Sequence, residues 1–375
     1  MKPQLPLALS TVLALTAAGC SKPDSTQEAA TTTETKTEVA METSVQESNP
    51  FFTESPLYMQ YPQFDKIENS HYKPAFERGM QEHLLEIDAI VNQEEAPTLD
   101  NTLIPMEKSG QLLNRVARVF FSMTSANTND TLEEIRSEMA PKLSAHNDQI
   151  LLNEKLFARV QAIYDARDDV ELDPESYRLI ERVYTDFVRA GAQLSAEEKE
   201  KIKAINSELA TLQTAFSQNV LNEVNASAVV VETREELTGM SETKIEAAAQ
   251  AAKAKDMEGK YLLALLNTSQ QPPLASLEDR ALRQRIMESS LARGSRGGDY
   301  DNREELTRVA KLRAERARLM GYENHAAFSL ETQTAKTTTA VNDLLARLAP
   351  AAVANAKREA ADMQSIIDSE GGDFQ

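Results

Sequence analysis

Four histidines, at positions 71, 83, 146 and 325, are the chain's whole supply of imidazole bases and ligands, and no two of them lie within ten residues of each other. Neither an H-E-x-x-H helix nor a G-x-S-x-G elbow occurs in the 375 residues, so spacing alone names no zinc site and no nucleophile–base pair. His83 shares the apolar face of its segment with Met80, Leu84 and Ile87. Glu86 makes an H-x-x-E run with it, but Ile87 stands where an inverzincin needs its second histidine. That pattern predicts a histidine satisfied within a helix contact. His71 precedes a helix and reads as a loop hydrogen-bonder, while His146 and His325 have no partner nearby in sequence. Cys20 is the single cysteine, which excludes an intrachain disulfide and a cysteine-built zinc cluster. No catalytic residue and no metal ligand is assigned.

Residues 293–302, RGSRGGDYDN, are the other stretch with chemical potential. Three glycines and the guanidinium groups of Arg293 and Arg296 could hold a phosphate or a substrate carboxylate. No Gly-Lys-Ser/Thr follows, so the stretch is not a P-loop. A tight interhelical turn is the favoured reading, with Asn302 capping the next helix and Glu305 completing a capping box.

The elements around these residues are mainly helical. Phe76, Met80, Leu84, Ile87 and Val91 recur at helical spacing, in a helix opened by Pro74. Capping boxes are expected at 130–133 and 195–198, and Asp173-Pro174 opens a helix that Gly191 closes. Between these ends Leu179, Val183, Tyr184, Phe187 and Val188 form the expected buried stripe. Ile202, Ile205, Leu209, Leu212 and Phe216 alternate by three and four until Asn219 breaks the run, which suits an antiparallel helix pair. Residues 228–232 and 261–266 are short β-prone runs with a helical 240–255 between them, hence one short β-ribbon. Pro272-Pro273 ends the second run, and helices resume from Leu277. The aromatic, proline-rich lead-in at 50–64 is expected to pack on the body.

Ahead of the body, one Lys and an apolar run from Leu5 to Ala18 have the length of a signal-peptide core, too short to cross a bilayer. Ala17-Ala18-Gly19-Cys20 resembles a bacterial lipobox, so residues 1–19 read as a lipoprotein signal peptide and Cys20 as the lipidation site. Ser21 after the cysteine points to the outer membrane, facing the periplasm. Residues 20–48, rich in Ser, Thr, Glu and Ala, read as a disordered tether. A formal net charge of −19 and the absence of a basic stripe argue against nucleic-acid binding.

Several strings carry a family likeness: 49–52 NPFF, 61–67 YPQFDKI, 71–80 HYKPAFERGM, 139–146 MAPKLSAH, 216–220 FSQNV, 291–302 LARGSRGGDYDN and 321–325 GYENH. In order and density they resemble the bacterial peptidyl-dipeptidases of the thimet oligopeptidase and neurolysin family of zinc metallopeptidases, across 49–375. The resemblance implies the N-terminal portion, a helical lobe and channel wall, of a two-lobed shell that admits short oligopeptides. It also implies release of dipeptides from their free C-terminus, and a complete protein that is monomeric. Zinc belongs to the complete family protein, held by an H-E-x-x-H helix and a downstream Glu. That motif lies beyond the point where this chain stops, so the chain alone is expected to bind no zinc, to be inactive, and to leave channel-side apolar faces bare. The alternative is a non-catalytic envelope lipoprotein that uses the lobe to bind peptides or a partner.

Overall fold

The structure, a computed structural model, describes residues 49–266 and 271–373. Cys20 and the segments read as signal peptide (1–19) and tether (20–48) lie outside them. No described helix is long and apolar enough to cross a membrane.

Helix α1 (Asn69–Val91) begins five residues before Pro74. The start is fixed by a reciprocal pair: the Glu68 N–H donates to His71 Nδ1 at 3.0 Å, and the Glu68 carbonyl accepts the His71 N–H at 3.0 Å. Pro74 is therefore tolerated inside the helix, and His71 is a helical capping residue, where the sequence suggested a helix opener and a loop residue. A short helix α2 (Ile104–Lys108) leads into α3 (Gln111–Ala126), which packs along α1. Phe51, Tyr72, Phe76, Phe120 and Met139 close the first apolar cluster, with edge-to-face rings at Phe76 and Phe120. Only the start of the lead-in joins it: Tyr58, Met59, Tyr61 and Phe64 stay exposed, against expectation.

Helices α4 (Asp130–Leu151), α5 (Glu154–Asp165) and α6 (Pro174–Ala190) build a second cluster around Leu103, Leu156, Val160, Ile180 and Phe187. The cap of α4 is Asn129, one residue earlier than the expected Asp130, and its Oδ1 accepts the Leu132 N–H at 3.1 Å. In α6 the expected Asp173 cap and left-handed Gly191 are both present. A Cβ on Gly191 would stand 2.9 Å from Leu194, at a φ of +109°. Gly191→Ala should therefore lower stability by about 1–2 kcal/mol in urea melts.

Helix α7 (Ala196–Ala226) is opened by the Ser195–Glu198 capping box, as its sequence predicted. It runs straight through Asn219. One low-propensity residue does not stop a helix packed on two sides, here by α4 and α10 (Arg303–Leu319). The expected ribbon follows: β1 (Val229–Val231) pairs antiparallel with β2 (Tyr261–Leu263), Val230 opposite Leu262. Helices α8 (Glu242–Lys253) and α9 (Arg280–Leu291) cover it in a third cluster centred on Val231, Leu237 and Leu282. The short α11 (His325–Leu330) and the long α12 (Thr338–Ser369) complete the described chain. The fold class is mainly α with one β-ribbon, as expected.

Helix α12 buries none of its residues. Leu344, Leu345, Leu348, Val353, Met363 and Ile366 stand exposed along it.

Candidate functional site

The glycine-rich turn folds as the linker between α9 and α10. Gly294, Gly297 and Gly298 all take positive φ, from +67° to +85°, which explains three glycines in five residues. Both arginines are engaged with the protein itself. Arg293 Nε donates to Ser290 O at 3.0 Å, and Arg296 Nη2 donates to Ser289 O at 2.6 Å. Arg296 Nε also donates to Glu223 Oε1 at 2.8 Å, and the same buried carboxylate accepts the Gly294 N–H. Glu223, unremarked in the sequence, is thus the residue that pins the turn to α7. Asn302 does not cap α10 with its side chain; it donates to Phe216 O and accepts from Asn219. Arg303 N–H is instead accepted by Asp301, whose carboxyl the Arg303 guanidinium holds well below the usual carboxylate range.

Against this turn, α7 and α10 enclose an open cleft of about 670 Å³. Phe216, Val220, Val224 and Leu306 give it apolar walls, and Ser217, Glu223, Arg293, Ser295, Asn302 and Arg303 are its polar and charged lining. Glu223→Gln should loosen the turn and lower stability by about 1–2 kcal/mol, read by urea melts.

A second constellation could not be seen from spacing. His83 Nδ1 and His146 Nε2 lie 3.0 Å apart, joining α1 to α4 between the first two apolar clusters. His83 Nε2 stands 3.1 Å from Ser109 Oγ, and that hydroxyl donates to Met106 O at 2.6 Å. The proton order follows. Ser109 has spent its single hydrogen, so it accepts from His83 Nε2–H; His83 Nδ1 then accepts from His146 Nε2–H. His146 Nδ1 is left buried with no partner. Burial lowers the pKa of both rings: His146, only 6% exposed, falls to about 4, aided by His83, while Glu86 works weakly the other way on His83. The pair is a neutral hydrogen-bonded strut, the satisfied helix contact expected for His83. Nearby, Glu86 accepts the Gly110 N–H at 2.7 Å, and a Cβ on Gly110 would meet the His83 ring at 3.0 Å.

These residues do not fit a zinc ion. Among the described residues no three His, Cys, Asp or Glu side chains converge, and the two paired imidazoles spend their facing nitrogens on each other. His71 caps α1, and His325 Nε2 stands 3.3 Å from Ser329 Oγ with its ring beside Phe328.

Residues 273–375 match Peptidase family M3. Over 326 residues the chain is 40% identical to the dipeptidyl carboxypeptidase of Escherichia coli K12, a span that takes 87% of this chain and 48% of that protein. The dipeptidyl carboxypeptidase of Salmonella typhimurium is also 40% identical, over 87% of this chain and 48% of its own length. Oligopeptidase A of E. coli is 27% identical over 87% of this chain and 48% of its own length. The chain spans about half the length of these curated relatives.

Proposed function

We propose that this chain, which matches Peptidase family M3 over residues 273–375, is part of a zinc-dependent peptidyl-dipeptidase that releases dipeptides from the C-terminus of oligopeptides. The 40% identity to a dipeptidyl carboxypeptidase over 326 residues carries the reading. In the complete protein zinc supplies the Lewis acid and the activated water. The residues described here contribute helical wall, and the cleft beside the 293–302 turn supports contact with an extended peptide. No catalytic step is assigned to a side chain among the described residues.

The test has two arms. Purified 21–375 with zinc and an N-blocked tripeptide should show no dipeptide release. A protein translated through any continuation of the reading frame past codon 375 should carry an H-E-x-x-H and cleave the same tripeptide, with loss of activity on chelation. Turnover by 21–375 alone refutes its inactivity; a continuation without the motif and without turnover refutes the peptidase reading, leaving a peptide- or partner-binding role.

The lipobox-like 17–20 segment supports lipid anchoring at Cys20, in the cell envelope at the outer membrane. Cys20→Ala should move the protein from the membrane fraction to the soluble fraction and abolish incorporation of labelled palmitate.

A further inference from the structure

Arg159 shows how this fold treats a buried guanidinium. Its nitrogens reach Thr102 Oγ1 at 3.1 Å, Asn101 Oδ1 at 3.0 Å, Glu95 O at 3.1 Å and Gln93 O at 3.4 Å. Arg316, on α10, is treated differently. Among the described residues it forms no ion pair, and its one hydrogen bond is a long one, 3.4 Å to Asn206 Oδ1. A guanidinium offers five donors in a planar fork, so most of this one is uncommitted. It faces a polar cleft of about 700 Å³ bounded by α4, α6, α7 and α10.

The surroundings favour an anion there. Arg189 lies beside Arg316, and both guanidinium groups sit over the Phe328 ring, at 4.2 Å and 5.0 Å from its centroid. Burial, with Arg189 and Arg313 as like charges, pushes the Arg316 pKa down, while Asp148 acts weakly in the opposite sense. The acidic groups of the region are spoken for: Glu331 pairs with Arg189, Asp186 lies 3.7 Å from Arg182, and Asp148 accepts from Asn206 Nδ2 at 2.8 Å. A half-buried cation without a counter-ion is unfavourable unless an outside anion completes it.

We propose that this cleft is a carboxylate-binding site anchored by Arg316. A planar carboxylate matches the free fork bidentately. The side-chain amides of Asn147 and Gln213 line the same cleft and can donate to it. Asp148 and Asp186 in the walls disfavour a dianion such as phosphate. The volume exceeds that of a bare ion and suits a small organic acid or the C-terminal residues of a peptide. The site stands independently of whether the complete protein cleaves peptides.

The experiment titrates the whole chain with sodium acetate, with Ala-Ala and with Ala-Ala amide at constant ionic strength, by calorimetry and thermal melts. A carboxylate is expected to bind and to raise the melting temperature by about 3 °C at a hundredfold excess over Kd. Binding of Ala-Ala and acetate alike identifies a free small carboxylate as sufficient; binding of Ala-Ala alone identifies a peptide terminus. In Arg316→Gln the affinity should fall at least tenfold, while the ligand-free melting temperature does not fall, because no ion pair is lost. Arg316→Lys, which keeps the charge and loses the fork, should bind several-fold more weakly and covers the case in which the Gln variant does not fold. Equal binding of the amide, affinity within twofold in both variants, or no binding of either carboxylate overturns the proposal.

Discussion

Acidification from pH 7 to pH 4 should remove about 3 kcal/mol of stability through a single imidazole, that of His146. Its folded pKa of about 4 lies below the ordinary 6.5, so the unfolded chain binds the proton first as pH falls. The stabilisation is present in full above 6.5, is lost progressively between 6.5 and about 4, and levels off below that; the gap between the two values gives the ~3 kcal/mol. The physical cause is the one-way hydrogen-bond chain. A proton on His83 Nδ1 would confront His146 Nε2–H, and the tautomer change that relieves this leaves a buried Nδ1–H without an acceptor. A second proton would place two cations side by side. Urea melts of the wild type and of His146→Gln across pH 7.5 to 4 isolate the effect, since paired surface carboxylates contribute equally to both. The difference between the two proteins should shrink by about 3 kcal/mol on acidification. A difference independent of pH would show that the pair carries no linked proton.

Removal of α12 should leave the folded body almost untouched and abolish most of its affinity for hydrophobic dyes. The helix contributes no buried residue, and its main packing partner is α11. Deleting residues from 338 onward therefore takes no side chain out of any apolar cluster, and the melting temperature should stay within about 1 °C. The exposed run is large for a soluble surface: Leu348, Met363 and Ile366 are 58%, 59% and 57% exposed. Dye fluorescence should fall several-fold in the deletion, and Leu348→Glu with Ile366→Glu should reproduce part of that fall while keeping the helix. A drop in melting temperature of more than about 5 °C would mean that α12 is packed into the body. Unchanged dye binding would place the bare surface elsewhere, for instance at Tyr58, Met59 and Leu291.

Local sequence determined what is local in its physics. The Ser195–Glu198 box, the Asp173-Pro174 start and the Gly191 stop were legible because each satisfies helix-end groups within a few residues. The ribbon was legible because its β-branched run can serve little else. The family likeness was legible too, as a matter of residue strings that spacing alone did not interpret. Element ends slipped where a competing partner lay within reach: Asn129 displaced Asp130 as a cap, and Asn302 gave its side chain to α7. What tertiary structure alone decided are the meetings across long separations. His83 finds His146 63 residues away, Glu223 reaches a turn 73 residues on, and Arg316 faces an interhelical cleft with no ion pair among the described residues. Helical periodicity says which face of a segment is buried, but the partner of a polar group on that face is set by how helices cross, and that is written in no single stretch of chain.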